Sequence, residues 1–164
     1  ELGLKYEAIR DGLKNFEGVG RRLERVGEKN GILVMDDYGH HPTEIRATLS
    51  ALKNLGRRIV VIFQPHRYSR TELLWDEFGQ SFAHAGEVFL TDIYPAGEDP
   101  IEGVSTELIC QAVKRHENRD AVLISRFEDI APAVVKVIKE GDVVITLGAG
   151  DIHKVGPMIL ELIK

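Results

Sequence analysis

From Val60 onward, short β-branched runs alternate with segments whose apolar residues recur at intervals of three and four, the pattern of a doubly wound α/β layer fold. Residues 32–35, 59–63, 88–91, 121–124 and 143–147 are mostly apolar without alternation, as strands covered on both faces require. Between them, Ile45, Leu49 and Leu52 share one helical face, as do Leu74, Phe78 and Phe82, and later Ile152, Val155, Ile159 and Leu162. Ser69 with Glu72, and Ser125 with Glu128, have the spacing of a capping box. Pro132 allows a second placement of the later helix, starting near Ile130 with proline in its tolerated first turn. Upstream, residues 6–16 read as a helix, and residues 21–27 followed by Lys29-Asn30-Gly31 read as an edge strand entering a hairpin turn. The expected organisation is a connecting helix or linker over 1–18 and one domain over 19–164.

Composition narrows the class. The 164 residues suit a single core, and 43% hydrophobic with 29% charged residues excludes a disordered chain or a coiled coil. Twenty-one Lys and Arg against 26 Asp and Glu leave a formal charge of −5, which opposes binding to a phosphate backbone, so nucleic acid is not expected as a partner. The single cysteine, Cys110, excludes an intrachain disulfide framework and a Cys-rich zinc site and fits a reducing compartment such as the cytoplasm. No apolar run approaches the ~18 residues that span a bilayer, and the charged first ten residues lack the centre of a signal peptide, so no membrane is expected. The chain does not begin with methionine, which points to a piece of a longer protein.

In an open α/β sheet, ligands sit outside the carboxyl ends of the strands. Four of the five expected strands are followed there by polar clusters: Asp36-Asp37-Tyr38-Gly39-His40-His41-Pro42, Gln64-Pro65-His66-Arg67-Tyr68-Ser69-Arg70, Asp92-Ile93-Tyr94-Pro95-Ala96-Gly97-Glu98, and Gly148-Ala149-Gly150-Asp151. Only the turn after Ile124 is bland. His40 and His41 lack a metal-binding spacing, and no metal site is expected; His41 suits a helix cap before Pro42, leaving His40 either exposed or facing a ligand. Asp36 and Asp37 should face opposite sides of the sheet, one bracing it and the other either reaching a ligand hydroxyl or bonding its own turn. Arg67 and Arg70, three apart at a strand-to-helix junction beside His66, either converge on one anion, a carboxylate or phosphate, or are solvated surface arginines. The glycine turn suits close helix–strand packing better than phosphate cradling, because Asp151 stands where a phosphate would lie and no G-x-x-x-x-G-K-[ST] occurs. Tyr94 and Glu98 could border the same crevice.

The runs DDYGHHPTE from Asp36, QPHRYSRT from Gln64, DIYPAG from Asp92 and GAGDI from Gly148 resemble, in this order, the C-terminal domain of the Mur ligases, in particular of members that add L-alanine to UDP-N-acetylmuramate. FEGVGRR, ending at Arg22, resembles that family's junction between its central ATPase domain and its C-terminal domain, so the resemblance spans essentially the whole chain. It implies a Rossmann-like three-layer domain, with a mostly parallel sheet of about six strands flanked by helices. It also implies an ATP-dependent ligase of bacterial cytoplasmic peptidoglycan synthesis, in which the muramyl carboxylate is phosphorylated and the amine of L-alanine attacks the acyl phosphate. On this resemblance Arg22, Asp37 and Tyr38 contact the nucleotide, and His40, His66, Arg67 and Arg70 form the L-alanine pocket. The P-loop, the magnesium ligands for Mg2+-ATP and the muramyl pocket belong to the family's N-terminal and central domains, which are the expected partners. No catalytic residue is confined to this domain, and the chain alone is expected to be inactive. Two other readings stand beside it: the related ligase that recycles the cell-wall tripeptide, and a non-catalytic Rossmann-like ligand-binding module.

Overall fold

A sheet built from continuous apolar strands must be covered on both faces, and the alternate residues of each strand feed two separate cores. In a computed structural model that describes residues 3, 5–14 and 19–164, six strands form one sheet in the order β1-β2-β6-β3-β4-β5. They are β1 Glu24–Lys29, β2 Ile32–Asp37, β3 Ile59–Phe63, β4 Glu87–Leu90, β5 Val122–Leu123 and β6 Val143–Leu147. The β2, β6, β3, β4 and β5 neighbours are parallel, and β1 runs antiparallel to β2 at the edge. Among the described residues the helices are α1 Tyr6–Lys14, α2 Pro42–Lys53, α3 Tyr68–Gly79, α4 Thr106–Glu117, α5 Phe127–Val135 and α6 Val155–Leu162, the last preceded by a 3-10 turn at Asp151–Lys154.

Ile59, Val61 and Phe63 point into one core with Ile45 and Leu49 of α2, Phe78 of α3 and Ile109 of α4. Val60 and Ile62 point the other way, onto Ile130 and Val134 of α5 and Val155 and Ile159 of α6. This is the expected three-layer α/β architecture, with α2, α3 and α4 on one face and α5 and α6 on the other.

Several local expectations are corrected. The edge strand starts at Glu24 rather than Arg21, because residues 21–23 turn across the end of β2; a bulge between Arg25 and Gly27 then lets Val26 pack against the α5–α6 face. Asn30 and Gly31 form the hairpin turn, both with positive φ (50° and 72°), as a two-residue connection demands. Leu162 is 44% exposed and Ile163 is buried in its place, since the chain leaves helical geometry after Leu162. Phe82 is in the core but lies beyond the end of α3. The later helix starts at Phe127, not near Ile130, and carries Pro132 in its interior on the solvent side. Neither predicted capping box forms: Ser125 and Ser69 are not the caps, and Glu128 pairs instead with Arg126. Helix α1 ends at Lys14, and the remainder of its predicted span and residues 16–18 of the FEGVGRR run lie outside the described residues.

Helices α3 and α4 approach closely at Gly79. A Cβ built on Gly79 would lie 2.6 Å from the carbonyl carbon and 2.9 Å from the Cα of Ala112, so the two helices meet backbone to backbone. Gly79→Ala is therefore expected to lower unfolding stability by about 1–3 kcal/mol through forced separation of the helices. Ala112→Gly in the same molecule should restore only part of the loss, because it removes the Ala112 Cβ but leaves the backbone carbon and Cα within 3 Å. Denaturant unfolding checks both, and a Gly79→Ala loss under about 0.5 kcal/mol would show that the helices part freely.

Candidate functional site

The carboxyl ends of β2, β6 and β3 stand level, because Leu147 pairs with Asp37 on one side and Phe63 on the other. The two aspartates ending β2 diverge as strand geometry requires. Asp36 accepts the Thr146 hydroxyl at 2.6 Å and Arg21 Nε at 2.8 Å, while Asp37 accepts the Leu23 amide and the Gly39 amide, each at 2.8 Å. Asp37 is thus the turn aspartate that bonds its own backbone two residues on, and it pins residue 23 as well. Both carboxylates are buried.

His41 caps α2 as anticipated: its Nδ1 accepts the Thr43 amide at 3.3 Å, and Pro42 occupies the first helical turn. Glu44 completes the box, accepting the amides of His40 and His41 at 2.9 and 3.1 Å. Partial burial resists the ionisation of Glu44, but these amides, His40 and Arg22 outweigh it and hold its carboxyl below the ordinary value. With the cap made by His41, His40 is left to the site. Its Nδ1 lies 3.0 Å from the Tyr38 carbonyl, which only accepts, so Nδ1 carries a proton there.

Past β3, the chain makes one more parallel bridge, His66 to Tyr94, closed by the Tyr94 amide on the Pro65 carbonyl and the Arg67 amide on the Tyr94 carbonyl, both at 2.8 Å. This bridge stacks the His66 and Tyr94 rings, centroids 5.6 Å apart and 16° from parallel. His40 stands 5.5 Å from His66 on the other side, and Tyr38 meets His40 edge-on at 5.4 Å. Tyr38, His40, His66 and Tyr94 therefore form one row across three strand ends.

The arginines are placed less simply than their spacing suggested. Arg70 turns back to His66, donating to its carbonyl at 3.2 Å and approaching its Nδ1 at 3.3 Å. Arg67, at positive φ (76°) and about half exposed, pairs with Glu98 at 3.5 Å. The two guanidinium groups thus have different partners in the chain, Glu98 for Arg67 and His66 for Arg70. Glu98 is occupied as well, accepting the Ser69 hydroxyl at 2.7 Å and amide at 3.0 Å, and these bonds with Arg67 hold its carboxyl below the ordinary range. It braces the start of α3, the role expected of Glu72. Arg22 is half exposed, 3.6 Å from Glu44, with its guanidinium 5.8 Å from the Tyr38 ring centre.

Two contributors lie inside the quoted runs but were not singled out as site residues. Gln64, buried, accepts the Ile152 amide at 3.2 Å, and Arg21 bridges Asp36 and the Gly148 carbonyl. The glycine turn is close packing, as its sequence context favoured. A Cβ on Gly150 would lie 2.6 Å from the Tyr94 ring and from Gln64 Oε1, and one on Gly148, at φ 144°, would lie 2.8 Å from the Gln64 carbonyl. Asp151 pairs with Lys154. A neighbouring crevice of about 380 Å³, lined by Tyr68, Asp92, Ile93, Ser105 and Ser125 among others, includes no member of the aromatic row, which lies on the open edge. Among the described residues no three His, Cys, Asp or Glu side chains converge as a metal-binding group. No described helix is long and apolar enough to cross a membrane.

The family model for "Mur ligase, glutamate ligase domain" matches residues 21–150. The chain belongs to the Mur ligase family. UDP-N-acetylmuramate–L-alanine ligases are similar over its whole length: that of Geotalea daltonii is 50% identical over 165 aligned positions and that of Myxococcus xanthus 47%. The chain spans about a third of those relatives, 36% and 35% of their lengths. Among solved structures, the UDP-N-acetylmuramate–alanine ligase of Thermotoga maritima shares 31% identity with a TM-score of 0.72, over 98% of this chain and 34% of that one. A murein peptide ligase of Psychrobacter arcticus shares 27% with a TM-score of 0.73, over 92% and 31% respectively. The six-stranded sheet and its flanking helices are the C-terminal domain architecture of this Mur ligase family.

Burial, and then the neighbouring His40, Arg70 and Arg67, lower the His66 pKa below its ordinary 6.5, with Glu98 offsetting part of the effect. The unfolded chain then binds the proton more readily than the folded one between the depressed value and 6.5, so the His66 contribution falls away as pH drops below about 6.5 and is whole above it. Replacing His66 with Gln should flatten that part of the stability–pH curve. Unfolding midpoints taken at intervals from neutral to mildly acid pH check it; an unchanged slope refutes the assignment.

Proposed function

We propose that this chain is the acceptor-binding, C-terminal domain of a longer ligase that joins L-alanine to UDP-N-acetylmuramate with ATP. The observation that carries the reading is the convergence of His40, His66 and Arg70, flanked by Arg67, at the carboxyl edge of the sheet. The resemblance to L-alanine-adding ligases supports it. An α-amino acid presents a carboxylate for guanidinium forks and an amine that must be aimed; holding the first aims the second. His66, kept neutral with Nδ1 turned to the Arg70 cation, has only Nε2 left to carry its proton and donate outward.

Arg22 and Tyr38 offer an exposed cation and a ring to a nucleotide, with Asp37 fixing the backbone between them rather than presenting a free carboxylate. ATP supplies the phosphoryl group that activates the muramyl carboxylate. Magnesium, the P-loop and the muramyl pocket fall to the N-terminal and central domains, joined through residues 1–18 to the domain at 19–164. Closure of this open edge over the activated carboxylate would exclude water from a hydrolysable intermediate. The substrates place the reaction in the bacterial cytoplasm, and the isolated chain is expected to form no product.

Arg67→Ala and Arg70→Ala in the full-length ligase should each raise the KM for L-alanine about 10–100-fold, the worth of a lost charge-assisted hydrogen bond. Phosphate release from ATP with UDP-N-acetylmuramate, with L-alanine or the tripeptide L-Ala-D-Glu-meso-diaminopimelate as acceptor, checks it. Unchanged KM and turnover would remove both arginines from the pocket, and turnover with the tripeptide alone would move the protein to the recycling ligases.

A further inference from the structure

The deepest charge at the carboxyl edge is Asp36, 3% exposed. A buried carboxylate is tolerated only with its charge matched and its lone pairs filled, and Asp36 has both through Thr146 and Arg21. The Arg21 guanidinium does more than neutralise it. Its Nη2 donates to the Gly148 carbonyl at 2.6 Å, and its central carbon lies 5.0 Å from the centre of the Tyr38 ring.

The main chain of the same residue is held from both sides. Its amide donates to Glu24 Oε2 at 2.6 Å, and its carbonyl accepts the Tyr38 amide at 2.7 Å. Two residues on, the Leu23 amide is taken by Asp37. Arg21 and Leu23 both sit at positive φ, 59° and 45°, a conformation that non-glycine residues keep only where the surroundings impose it. Arg22 stands between these two strained positions, beside Tyr38.

We infer that Arg21 is a positioning residue: by clasping Asp36 and the Gly148 turn it fixes the path of residues 21–23, so that Arg22 and Tyr38 are presented together. The inference rests on the nucleotide role proposed for Arg22 and Tyr38, but Arg21 itself need touch no substrate.

The experiment compares Arg21→Ala, Arg21→Lys and Asp36→Asn in the full-length ligase. Arg21→Ala is expected to raise the KM for ATP about ten-fold while that for L-alanine stays within about two-fold. Hydrogen exchange should quicken at the Leu23 and Tyr38 amides and stay slow in β3 and β6. Lysine keeps a cation near Asp36 but lacks the planar fork that reaches the carboxylate with Nε and the Gly148 carbonyl with Nη2, and it cannot lie flat on the ring. Arg21→Lys should therefore keep the melting temperature and still raise the KM for ATP, and it carries the test if the alanine variant fails to fold. Asp36→Asn should reproduce the ATP effect, and Arg21→Ala combined with it should add nothing. An unchanged KM for ATP, or equal rises for ATP and L-alanine that track lost melting temperature, would overturn the inference. If the wild type shows no ATP-dependent ligation, the proposed function fails by itself, and exchange at Leu23 and Tyr38 still decides the role of Arg21: faster supports it, unchanged refutes it.

Discussion

The pairing of β6 between β2 and β3 is the constraint on which the rest of the molecule depends. Val143–Leu147 is fully buried and bonded along both sides, with Leu147 in register with Asp37 and Phe63. Three loops far apart in sequence therefore leave the sheet at one height, and the polar residues they carry have to meet. A one-residue slip would turn Ile145 and Leu147 from the α2–α4 core toward the other face and separate those loops.

Around that edge, stability and availability are divided between neighbouring residues. Asp36, Asp37, His41, Glu44 and Glu98 are occupied in holding backbone and caps, and their charges are matched or hydrogen-bonded within the chain. The groups that line the edge beside them are aromatic and cationic: the rings of Tyr38, His40, His66 and Tyr94, and the guanidinium groups of Arg22, Arg67 and Arg70, each of which also has a partner within the chain. The arrangement suits an anionic, planar or amine-bearing partner covering the edge from outside. It fits the fact that the chain spans only about a third of its ligase relatives.

Much of this was readable in advance, and where it was not, the cause is specific. The strands of the central sheet were legible because a buried parallel strand has a composition of its own, and His41-Pro42 announced a helix start by local chemistry alone. Ser69 misled because its hydroxyl found Glu98, twenty-nine residues away, before it could cap anything. Pro132 left the start of the later helix open between Ser125 and Ile130, because a helix tolerates proline on its exposed side when the carbonyl it leaves unpaired can reach water. Arg21 lies in the FEGVGRR run, yet its role was not legible, since nothing local shows that its partners are Asp36 and Gly148, 15 and 127 residues away.

By itself the sequence determined the alternation of strands and helices, the two-sided burial of the sheet and which loops carry chemistry. These follow from residue type and period, which act over a few neighbours. Only the tertiary structure decided which of those polar residues brace the fold: Asp37 closes on two amides, Glu98 takes the start of α3, and Arg67 and Arg70 take different partners, Glu98 and His66. A hydrogen bond is settled by which donor and acceptor arrive within 3 Å of each other, and that depends on strand order and register, which no local pattern contains.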